Sequence, residues 1–340
     1  MDRLTAEQII AGLTATPLSF PELAQLRAYI AVIHDPAECI ALIEHGALGR
    51  GCPRCGGLRV HRCGQASGLQ RYRCLGCRRS YNGLTGTPLA RLRKKEHWLD
   101  YLQCVRDSLT VRAAADAVGV HRTTSFRWRH RFVPGAIRER PAGLAGVVEV
   151  DETYLLESQK GSRKLNRPAR HRGGVAKRRG INREHDCLLV ARDRTGATLD
   201  FHVGRGPVPL AQLERCLCGV LAKDALLVSD GAEVYQRFAA DHGIRHKYVN
   251  VSAGDRVQGE IHIQNVNGWH SRFKNWMVRF RGVASRYLAN YSGWQRLLDA
   301  QEFVTSAQWL LAAAKLCRPV MRGAQLTLTE PRKKGSDISI

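Results

Sequence analysis

The sequence predicts a multidomain α+β protein, in which a helical N-terminus precedes a cysteine-rich segment, a pair of helices and an α/β domain. Three observations support this fold class. Apolar residues recur at helical spacing in the first 48 residues, Gly, Cys and Arg are dense in residues 50–85, and strand signals alternate with helix signals from residue 147 onward. Strands that alternate with helices favour a layered α/β domain. The length of 340 residues allows two or three domains.

The charge of the chain is strongly basic. It has 53 Lys and Arg residues against 30 Asp and Glu, a formal net charge of +23. Such an excess attracts polyanions, so we expect nucleic acid as a partner rather than a merely soluble basic protein. The composition, 44% hydrophobic and 24% charged, is typical of a globular chain and not of a disordered one.

We expect neither a secretory signal nor a membrane span. The first residues, MDRLTAEQII, carry acids where a signal peptide would be basic. No stretch approaches the roughly 18 apolar residues that a spanning helix needs. The eleven cysteines, an odd number without a secretory signal, favour a reducing compartment in which some thiols bind metal.

Changes in pattern divide the chain into consecutive segments. The expected order is a helical segment (1–48), a cysteine-rich segment (49–85), a second helical segment (93–133), a linker (134–146), an α/β domain (147–317) and a polar tail (318–340).

Two CxxC pairs mark the cysteine-rich segment. CPRC at 52–55 and CLGC at 74–77 are separated by 18 residues, the length of a short hairpin. This spacing favours four thiolates around one structural Zn²⁺ ion over a redox pair or a chance pattern. We therefore predict a zinc ribbon with Cys52, Cys55, Cys74 and Cys77 as ligands. Cys63 has no CxxC partner and is left out of the metal site.

The stretch TVRAAADAVGVHRTTSFRWRHRF, residues 110–132, predicts a helix-turn-helix. Gly119 stands where the turn needs a permissive backbone. In the second helix, Phe126 and Trp128 are expected to pack inward. The side chains expected to face DNA are those of Arg122, Thr123, Thr124, Arg127 and Arg129. The alternative is an ordinary helical hairpin with a basic, solvated face.

Two acids stand at predicted strand ends. Asp151 follows the apolar run VVEV, and Asp230 ends the strand ALLVSD before a Gly turn. Ligand and metal residues of open α/β sheets concentrate at such ends. For Asp230, a helix cap is the alternative reading.

The stretch HIQNVNGWHSRFKNWM, residues 262–277, predicts an amphipathic helix. Its apolar stripe is Val266, Trp269, Phe273, Trp276 and Phe280. Asn267 and Lys274 are seven residues apart and therefore share a face. A solvated surface lysine is the alternative for Lys274.

These stretches together resemble the catalytic stations of DDE-type transposases, whose catalytic domain has the ribonuclease-H-like fold. The stations lie on the first strand, the fourth strand and a later helix. The helix resembles that of the ISXO-like group of insertion-sequence transposases, matched by His262, Asn267, Gly268 and Lys274, and EVDETYL and SDGAEVY resemble the same group. The resemblance spans about residue 20 to about residue 310.

The resemblance implies a transposase that binds transposon-end DNA, cleaves strands and joins them to a target. Asp151, Asp230 and Asn267 would hold two Mg²⁺ or Mn²⁺ ions, and Lys274 would grip a phosphate. The chain departs from the family at Asn267, where an acid is commoner. An amide oxygen can bind Mg²⁺ but adds no charge, so one ion should bind more weakly unless Glu152, Asp255 or Glu260 assists.

The resemblance also implies double-stranded DNA as partner, both terminal repeats and target. It implies a homodimer or higher oligomer on DNA, no membrane, and a prokaryotic cytoplasmic, nucleoid-associated location. The alternative is a catalytically inactive, transposase-derived DNA-binding regulator or architectural protein. A zinc-ribbon adaptor would leave residues 146–310 unexplained.

Residues 160–183 predict a basic arm. The arm has ten Lys and Arg residues and no Asp or Glu. We expect it to order on DNA and to add salt-sensitive affinity. A nuclear-localisation-like run is the weaker alternative. The expected DNA contacts are Lys160, Arg163, Lys164, Arg170, Arg172, Lys177, Arg178 and Arg179.

Overall fold

A computed structural model describes residues 19, 21–22, 36–47, 49–171, 173–249, 261–301 and 305–315. Several predictions lie outside the described residues. These are the helices expected before residue 36, the polar tail 318–340, and the side chains of Arg172, Asp255 and Glu260.

The N-terminal part combines one helix with a small antiparallel sheet of three strands. Its elements are α1 (Pro36–Ala47), β1 (Val60–Ala66), β2 (Leu69–Cys74) and β3 (Ser80–Asn82). The helix is tied to the sheet through Glu44, which accepts hydrogen bonds from the Gln70 amide (3.0 Å) and the Tyr72 hydroxyl (3.3 Å). The hairpin expected between the two CxxC pairs is therefore present.

A helical segment follows, as the sequence predicts. Its elements are a 3₁₀ turn (Lys95–His97), α2 (Trp98–Arg106), α3 (Val111–Val118) and α4 (Arg122–Ala136). The Thr110 hydroxyl caps the start of α3, and Gly119, with a φ of 66°, ends it. Left-handed backbone of this kind suits glycine. Helix α4 continues through Pro134, so the first residues of the predicted linker are helical instead.

The two aromatic residues predicted to pack inward from α4 differ in their outcome. Trp128 is 2% exposed, as predicted, but Phe126 is 42% exposed. The inward prediction for Phe126 is wrong because the core-facing side of α4 holds Ser125, Trp128 and Phe132, which leaves Phe126 on the open side.

The α/β part is built on a five-stranded mixed sheet in the order β6-β5-β4-β7-β8. Its strands are β4 (Val147–Leu156), β5 (His185–Asp193), β6 (Thr198–Arg205), β7 (Leu226–Ser229) and β8 (Arg245–Tyr248). Its helices are α5 (Leu210–Leu217), α6 (Glu233–Asp241), α7 (Gln264–Val278), α8 (Leu288–Ala300) and α9 (Ser306–Ala313), with a 3₁₀ turn at Ser285–Tyr287. Strands β4, β5 and β6 are antiparallel neighbours, whereas β7 and β8 run parallel to β4. The predicted alternation of strands and helices is confirmed.

Both faces of this sheet are buried. Successive strand residues point to opposite faces, so Leu188 and Val190 pack with α7 while Leu189 packs with α5 and α6. The predicted apolar stripe of α7 is confirmed, since Val266, Trp269 and Phe273 are fully buried. Burial on both faces explains why β5 reads as an uninterrupted apolar run.

The last described helix returns to the helical segment. Helix α9 packs against α1, α2 and α4. A Cβ atom at Gly135 of α4 would lie only 2.6 Å from the Ala313 Cα, so the close approach of these helices requires glycine. One hydrophobic core therefore joins helices from both ends of the described chain.

A buried ion pair ties α8 to the sheet and to the predicted linker. Arg296 is 1% exposed, and its Nε donates to Asp200 Oδ1 of β6 over 2.9 Å. Its guanidinium also donates to the carbonyls of Ile137 and Glu139. Residues after α4 are thereby held against the sheet edge.

No helix among the described residues is both long enough and apolar enough to cross a membrane.

Candidate active site

The two predicted acids lie level on neighbouring strands, but Asp151 is in the middle of β4 and not at a strand end as predicted, because β4 continues to Leu156. Asp151 is in β4, and Asp230 directly follows β7, the parallel neighbour of β4. The register pairs Glu149 with Val228, so two residues further along Asp151 is level with Asp230. These are the first and fourth strands of the five-stranded sheet in chain order.

The two carboxylates are close enough to influence each other. Burial raises the pKa of Asp151 to about 7, and the charges of Glu152 and Asp230 add to the effect. A carboxylate that is costly to ionise beside other acids is a site where a cation would be stabilised.

Helix α7 is fixed to the strand that carries Asp151. The Val266 amide donates to Glu149 Oε2 over 2.9 Å, and Asn265 Nδ2 donates to Glu149 Oε1 over 3.0 Å. Glu149 is fully buried and lies two residues before Asp151, hence on the same face of β4. This acid was not predicted from the sequence. It joins the start of α7 to the strand that carries Asp151.

Glu149 also holds two basic groups. The Arg194 guanidinium pairs with Glu149 Oε1 at 2.5 Å, and His262 Nδ1 lies 3.3 Å from the same oxygen. His262, part of the resemblance, therefore contacts the Glu149 carboxylate. One buried carboxylate thus organises the β5–β6 turn and the approach to α7.

Asp151 meets α7 through His270. His270 is 6% exposed, and its Nδ1 lies 3.6 Å from Asp151 Oδ2. Burial lowers the pKa of His270 to about 3, and the nearby Lys274 charge lowers it further, so the imidazole is neutral. Lys274 also lowers the pKa of Asp151, which places its ammonium within electrostatic reach of that acid.

The contact between His270 and Asp151 shows which way the side of α7 that carries Asn267 faces. Asn267, His270 and Lys274 are spaced at i, i+3 and i+7, so they share one side of α7. Because His270 touches Asp151, that side faces the acids. His270 was missed in the sequence, although its spacing from Asn267 and Lys274 was a signal that could have found it.

Asp230 makes a turn contact as well. Its Oδ1 accepts a hydrogen bond from the Ala232 amide over 3.0 Å, but Ala232, not Asp230, is the N-cap of α6. Asp230 therefore contacts the backbone just before α6 but is not the cap residue that the alternative interpretation predicted. The carboxylate is exposed and remains accessible at the edge of the sheet.

Glu152 is the one described residue among the three acids named as possible helpers. Burial raises the pKa of Glu152 to about 7, and the Asp230 charge raises it further. The Tyr235 hydroxyl acts in the opposite direction. Strand alternation puts Glu152 on the α5–α6 face, across the sheet from α7.

The four cysteines predicted to bind metal come together. Their sulfur atoms all lie within 4.8 Å of one another, with Cys52 and Cys77 at 3.6 Å and Cys55 and Cys74 at 3.5 Å. Backbone N–H groups, that of Cys77 foremost, lower the pKa of Cys74 to about 7. The cluster can bind a metal such as zinc. Cys63 lies outside it, as predicted.

Most side chains predicted to read DNA from α4 are open to solvent, but one is not. Arg122, Thr123 and Arg127 are exposed and Thr124 is half-buried. Arg129 is 1% exposed, donates to the Leu109 carbonyl over 2.6 Å and lies 5.0 Å from the centroid of the Trp294 ring. The prediction that Arg129 contacts DNA is wrong, because a carbonyl and aromatic faces hold its guanidinium in the core.

The predicted basic arm is partly anchored to the sheet. Arg170 pairs with Glu157 (3.4 Å) and Glu184 (2.9 Å), so its expected role in DNA contact is corrected to an internal one. Lys160 is exposed, and its ammonium donates to the carbonyls of Arg281 and Gly282. The other described cations expected to contact DNA are all exposed, namely Arg163, Lys164, Lys177, Arg178 and Arg179.

Comparison with known proteins agrees with this arrangement. Residues 143–294 match the ISXO2-like transposase domain, a segment that contains the mixed sheet, both acids and the whole of α7. Over these residues the chain is similar to the ISXO2-like transposases.

A relative of this chain is a protein of a mobile element. The chain is 29% identical over 244 residues to "Uncharacterized protein in transposable element ISH50" of Halobacterium salinarum, which covers 71% of this chain and 82% of the relative.

Two solved structures overlap with the chain. The "pre-cleavage Mos1 transpososome" matches at 11% identity and a TM-score of 0.17, covering 63% of this chain and 78% of that one. The "Mos1 Strand Transfer Complex" matches at 15% identity and a TM-score of 0.19, covering 64% and 78%. At these TM-scores the likeness carries no conclusion about the fold of this chain.

Proposed function

We propose that this transposase cleaves DNA at the ends of its element and joins the freed ends to a target, at a site formed by Asp151, Asp230 and Asn267. The observation that carries the proposal is the convergence of three separate elements. Asp151, within β4, and Asp230, directly after β7, lie level on neighbouring parallel strands, and Glu149 fixes the start of α7 to the strand of Asp151. Acids on the first and fourth strands with a third ligand on a later helix support a ribonuclease-H-like catalytic domain.

The donor set suits Mg²⁺ or Mn²⁺. Both ions prefer oxygen ligands, and the site offers two carboxylates and the Asn267 amide oxygen. Burial, and after it the charges of Glu152 and Asp230, raise the pKa of Asp151 to about 7, and the Lys274 charge opposes them. When bound, two divalent ions would polarise the scissile phosphate and offset its developing charge.

The remaining residues of the site position Asp151 and the substrate. His270, neutral and buried, covers one side of the Asp151 carboxylate and limits its access to water. Lys274, one turn further along α7, is exposed and is placed to hold a DNA phosphate near the scissile bond. Its flexible ammonium acts as a point charge for such a group.

Duplex DNA of the terminal repeats is the proposed partner. The exposed face of α4, with Arg122, Thr123, Thr124 and Arg127, has donors suited to base edges and phosphates. The exposed cations of the arm add sequence-independent affinity. Because two ends must be joined, the working unit is at least a homodimer. A Zn²⁺ ion on the four cysteines would stabilise the ribbon without taking part in the chemistry.

A second candidate function is DNA binding without catalysis, as a transposase-derived regulator. The observation that favours it is Asn267, a neutral amide at the position where a third charge would strengthen metal binding.

Strand cleavage and joining on terminal-repeat DNA with Mg²⁺ or Mn²⁺ would separate the two candidates. We expect the wild type to cleave, and Asp151→Ala and Asp230→Ala to bind DNA normally but fail to cleave. Asp224→Ala is a matched control, because Asp224 is an exposed acid near the opposite end of β7. If the wild type binds the DNA but cleaves with neither metal, the binding-protein function is correct.

Asn267 can be tested in the same assay. We expect Asn267→Asp to cleave at a lower Mg²⁺ concentration than the wild type, because a carboxylate adds charge to the site. Asn267→Ala should need more metal or lose cleavage. If Asn267→Ala cleaves with an unchanged metal dependence, Asn267 is not a ligand.

A further inference from the structure

A cleft of about 840 Å³ lies between the helix-turn-helix and the chain that follows α7. One wall is formed by α3 and α4, and the other by residues 279–287. The first residues of the basic arm, Lys160 and Gly161, also line it. Neither the proposed cleavage site nor the exposed face of α4 accounts for this cleft.

The cleft is positively charged. Among the described residues that line it there are six Lys and Arg residues and no Asp or Glu, namely Arg112, Arg129, Lys160, Arg279, Arg281 and Arg286. Arg129 is held within the core, whereas the other five are exposed. Lys160 fixes the turn at Arg281 and Gly282 by donating to both carbonyls, over 3.0 and 2.9 Å. The cations of the two walls are thus held facing a common space.

An exposed aromatic ring stands among these charges. Phe126 is 42% exposed, although a large apolar side chain on a helix is usually buried. Its ring is braced by edge contacts to His130 at 4.4 Å and Tyr287 at 5.9 Å between centroids. His130 and Tyr287 are themselves stacked at 3.8 Å. Phe126 is therefore held in a defined orientation while much of its surface faces solvent.

We propose that this cleft binds an unpaired nucleotide of the DNA substrate, with its base stacked on Phe126 and its flanking phosphates held by Arg112, Arg279 and Arg286. The proposal deepens the proposed function and rests on it. Aromatic platforms surrounded by cations are typical of sites for unpaired strands. A base within a duplex is covered by its neighbours, so only an unpaired base can offer its face to Phe126.

The position of the cleft indicates where on the DNA the bound nucleotide would lie. Phe126 lies on α4, the helix proposed to read duplex DNA, between Arg122 and Arg127. The opposite wall begins at Arg279, directly after α7, which carries Asn267 and Lys274. An unpaired nucleotide held here would lie between the DNA-reading helix and the cutting helix, where a strand leaves the duplex.

Fluorescence anisotropy with defined oligonucleotides tests the proposal. The probes are a blunt duplex, the same duplex with a single-stranded thymidine overhang, and single-stranded oligothymidine. We expect Phe126→Leu, which keeps an apolar side chain but removes the ring, to weaken binding of the two unpaired probes by about tenfold or more. Phe126→Trp should bind them at least as well as the wild type. Blunt-duplex binding should change less than about twofold in both variants.

Charge variants extend the test. Arg286→Ala should weaken binding of the unpaired probes and reduce the salt dependence by about one counterion. The matched control is Arg237→Ala, because Arg237 is an exposed arginine of α6, whose partner is Asp241. It should leave binding of the unpaired probes unchanged.

Two results would overturn the proposal. Phe126→Leu could weaken all three probes equally, which would mean that Phe126 serves duplex contact or helix packing. It could also leave overhang binding unchanged, which would mean that no base stacks on it. Thermal melts of each variant show whether it is folded.

The outcomes distinguish an error in the cleft proposal from an error in the proposed catalytic function. If the wild type cleaves with metal but Phe126→Leu binds unpaired probes normally, the cleft proposal fails and the transposase function stands. If the wild type does not cleave with either metal, yet Phe126→Leu loses unpaired-strand binding selectively, the catalytic proposal fails and the cleft is a single-strand site.

Discussion

The two candidate metal sites of this protein are built in opposite ways. The four cysteines of the ribbon are contributed by two short turns of one small sheet, and their sulfur atoms lie within 4.8 Å of one another. The acidic site draws Asp151, Asp230 and Asn267 from three elements that span more than a hundred residues. The cysteine site is formed by residues close together in sequence, whereas the acidic site depends on the whole sheet and on the helix packed against it.

This difference decides what supports each site. The cysteines come from turns of one small sheet, so metal binding and folding of the ribbon should be coupled. The acidic site is held by apolar packing of α7 and by Glu149, whether or not metal is present. We therefore expect metal removal to unfold the ribbon locally and to leave the acidic site assembled.

The largest expected effect follows from breaking the ribbon. Cys74→Ser should abolish binding of the one zinc ion per chain and unfold residues 52–82, because structural zinc supplies the folding energy of such small units. Zinc content and hydrogen exchange of the ribbon measure this. Cys63→Ser is the matched control, since Cys63 is in β1 but outside the cluster. If Cys74→Ser retains full zinc, the four-cysteine site is wrong.

A smaller effect is expected from loosening the acidic site. Glu149→Gln removes the charge that pairs with Arg194 and weakens the acceptor of the Val266 amide. Because the Arg194 side chain is 29% exposed, we expect a loss of about 1–3 kcal/mol in the free energy of unfolding. Cleavage should need more metal, since the start of α7 is no longer fixed.

Chemical denaturation and metal titration of cleavage check the Glu149→Gln prediction. Glu214→Gln, on the surface of α5, is the control for loss of a carboxylate. A variant that loses stability without any change in metal dependence would show that Glu149 does not position α7 for catalysis.

A further expected effect is a pH dependence of stability without metal. The pKa of Asp151 is raised to about 7 in the folded protein, from an ordinary value of 3.8. The folded protein therefore holds this proton more tightly than the unfolded chain, and stability falls as pH rises from about 4 to about 7. Asp151→Asn removes this loss.

Thermal unfolding in a chelator at pH 5.5 and pH 8 tests whether stability falls as pH rises. The melting temperature of Asp151→Asn should exceed that of the wild type by more at pH 8 than at pH 5.5. An equal difference at both values would show that the Asp151 carboxyl is not shifted. The same comparison with saturating Mg²⁺ should reduce the difference at pH 8, because metal stabilises the ionised form.

Prediction from the sequence succeeded where the signal is short in range. The cysteine spacing predicted the four-cysteine cluster, and the apolar runs before Asp151 and Asp230 predicted two neighbouring strands, although Asp151 is in the middle of β4 and not at its end. The apolar stripe of α7 was sufficient to orient the helix, because 3.6-residue periodicity records which face is buried.

Prediction failed where packing partners are distant in sequence. Phe126 and Arg129 are one turn apart on α4, and hydropathy alone puts the phenylalanine inside and the arginine outside. The structure has the reverse, because Trp294, far along the chain in α8, offers its ring to the Arg129 guanidinium. Glu149 and His270 were missed for the same reason, as their partners are known only once α7 lies against β4.

The return of α9 onto α4 makes the helical segment depend on residues near the end of the described chain. A product that stopped before Ser306 would lack Trp309 and Leu310, both fully buried, and would leave the apolar side of α4 uncovered. Such a shortened product would expose apolar surface that the full chain buries, so we expect it to be less stable and more prone to aggregate.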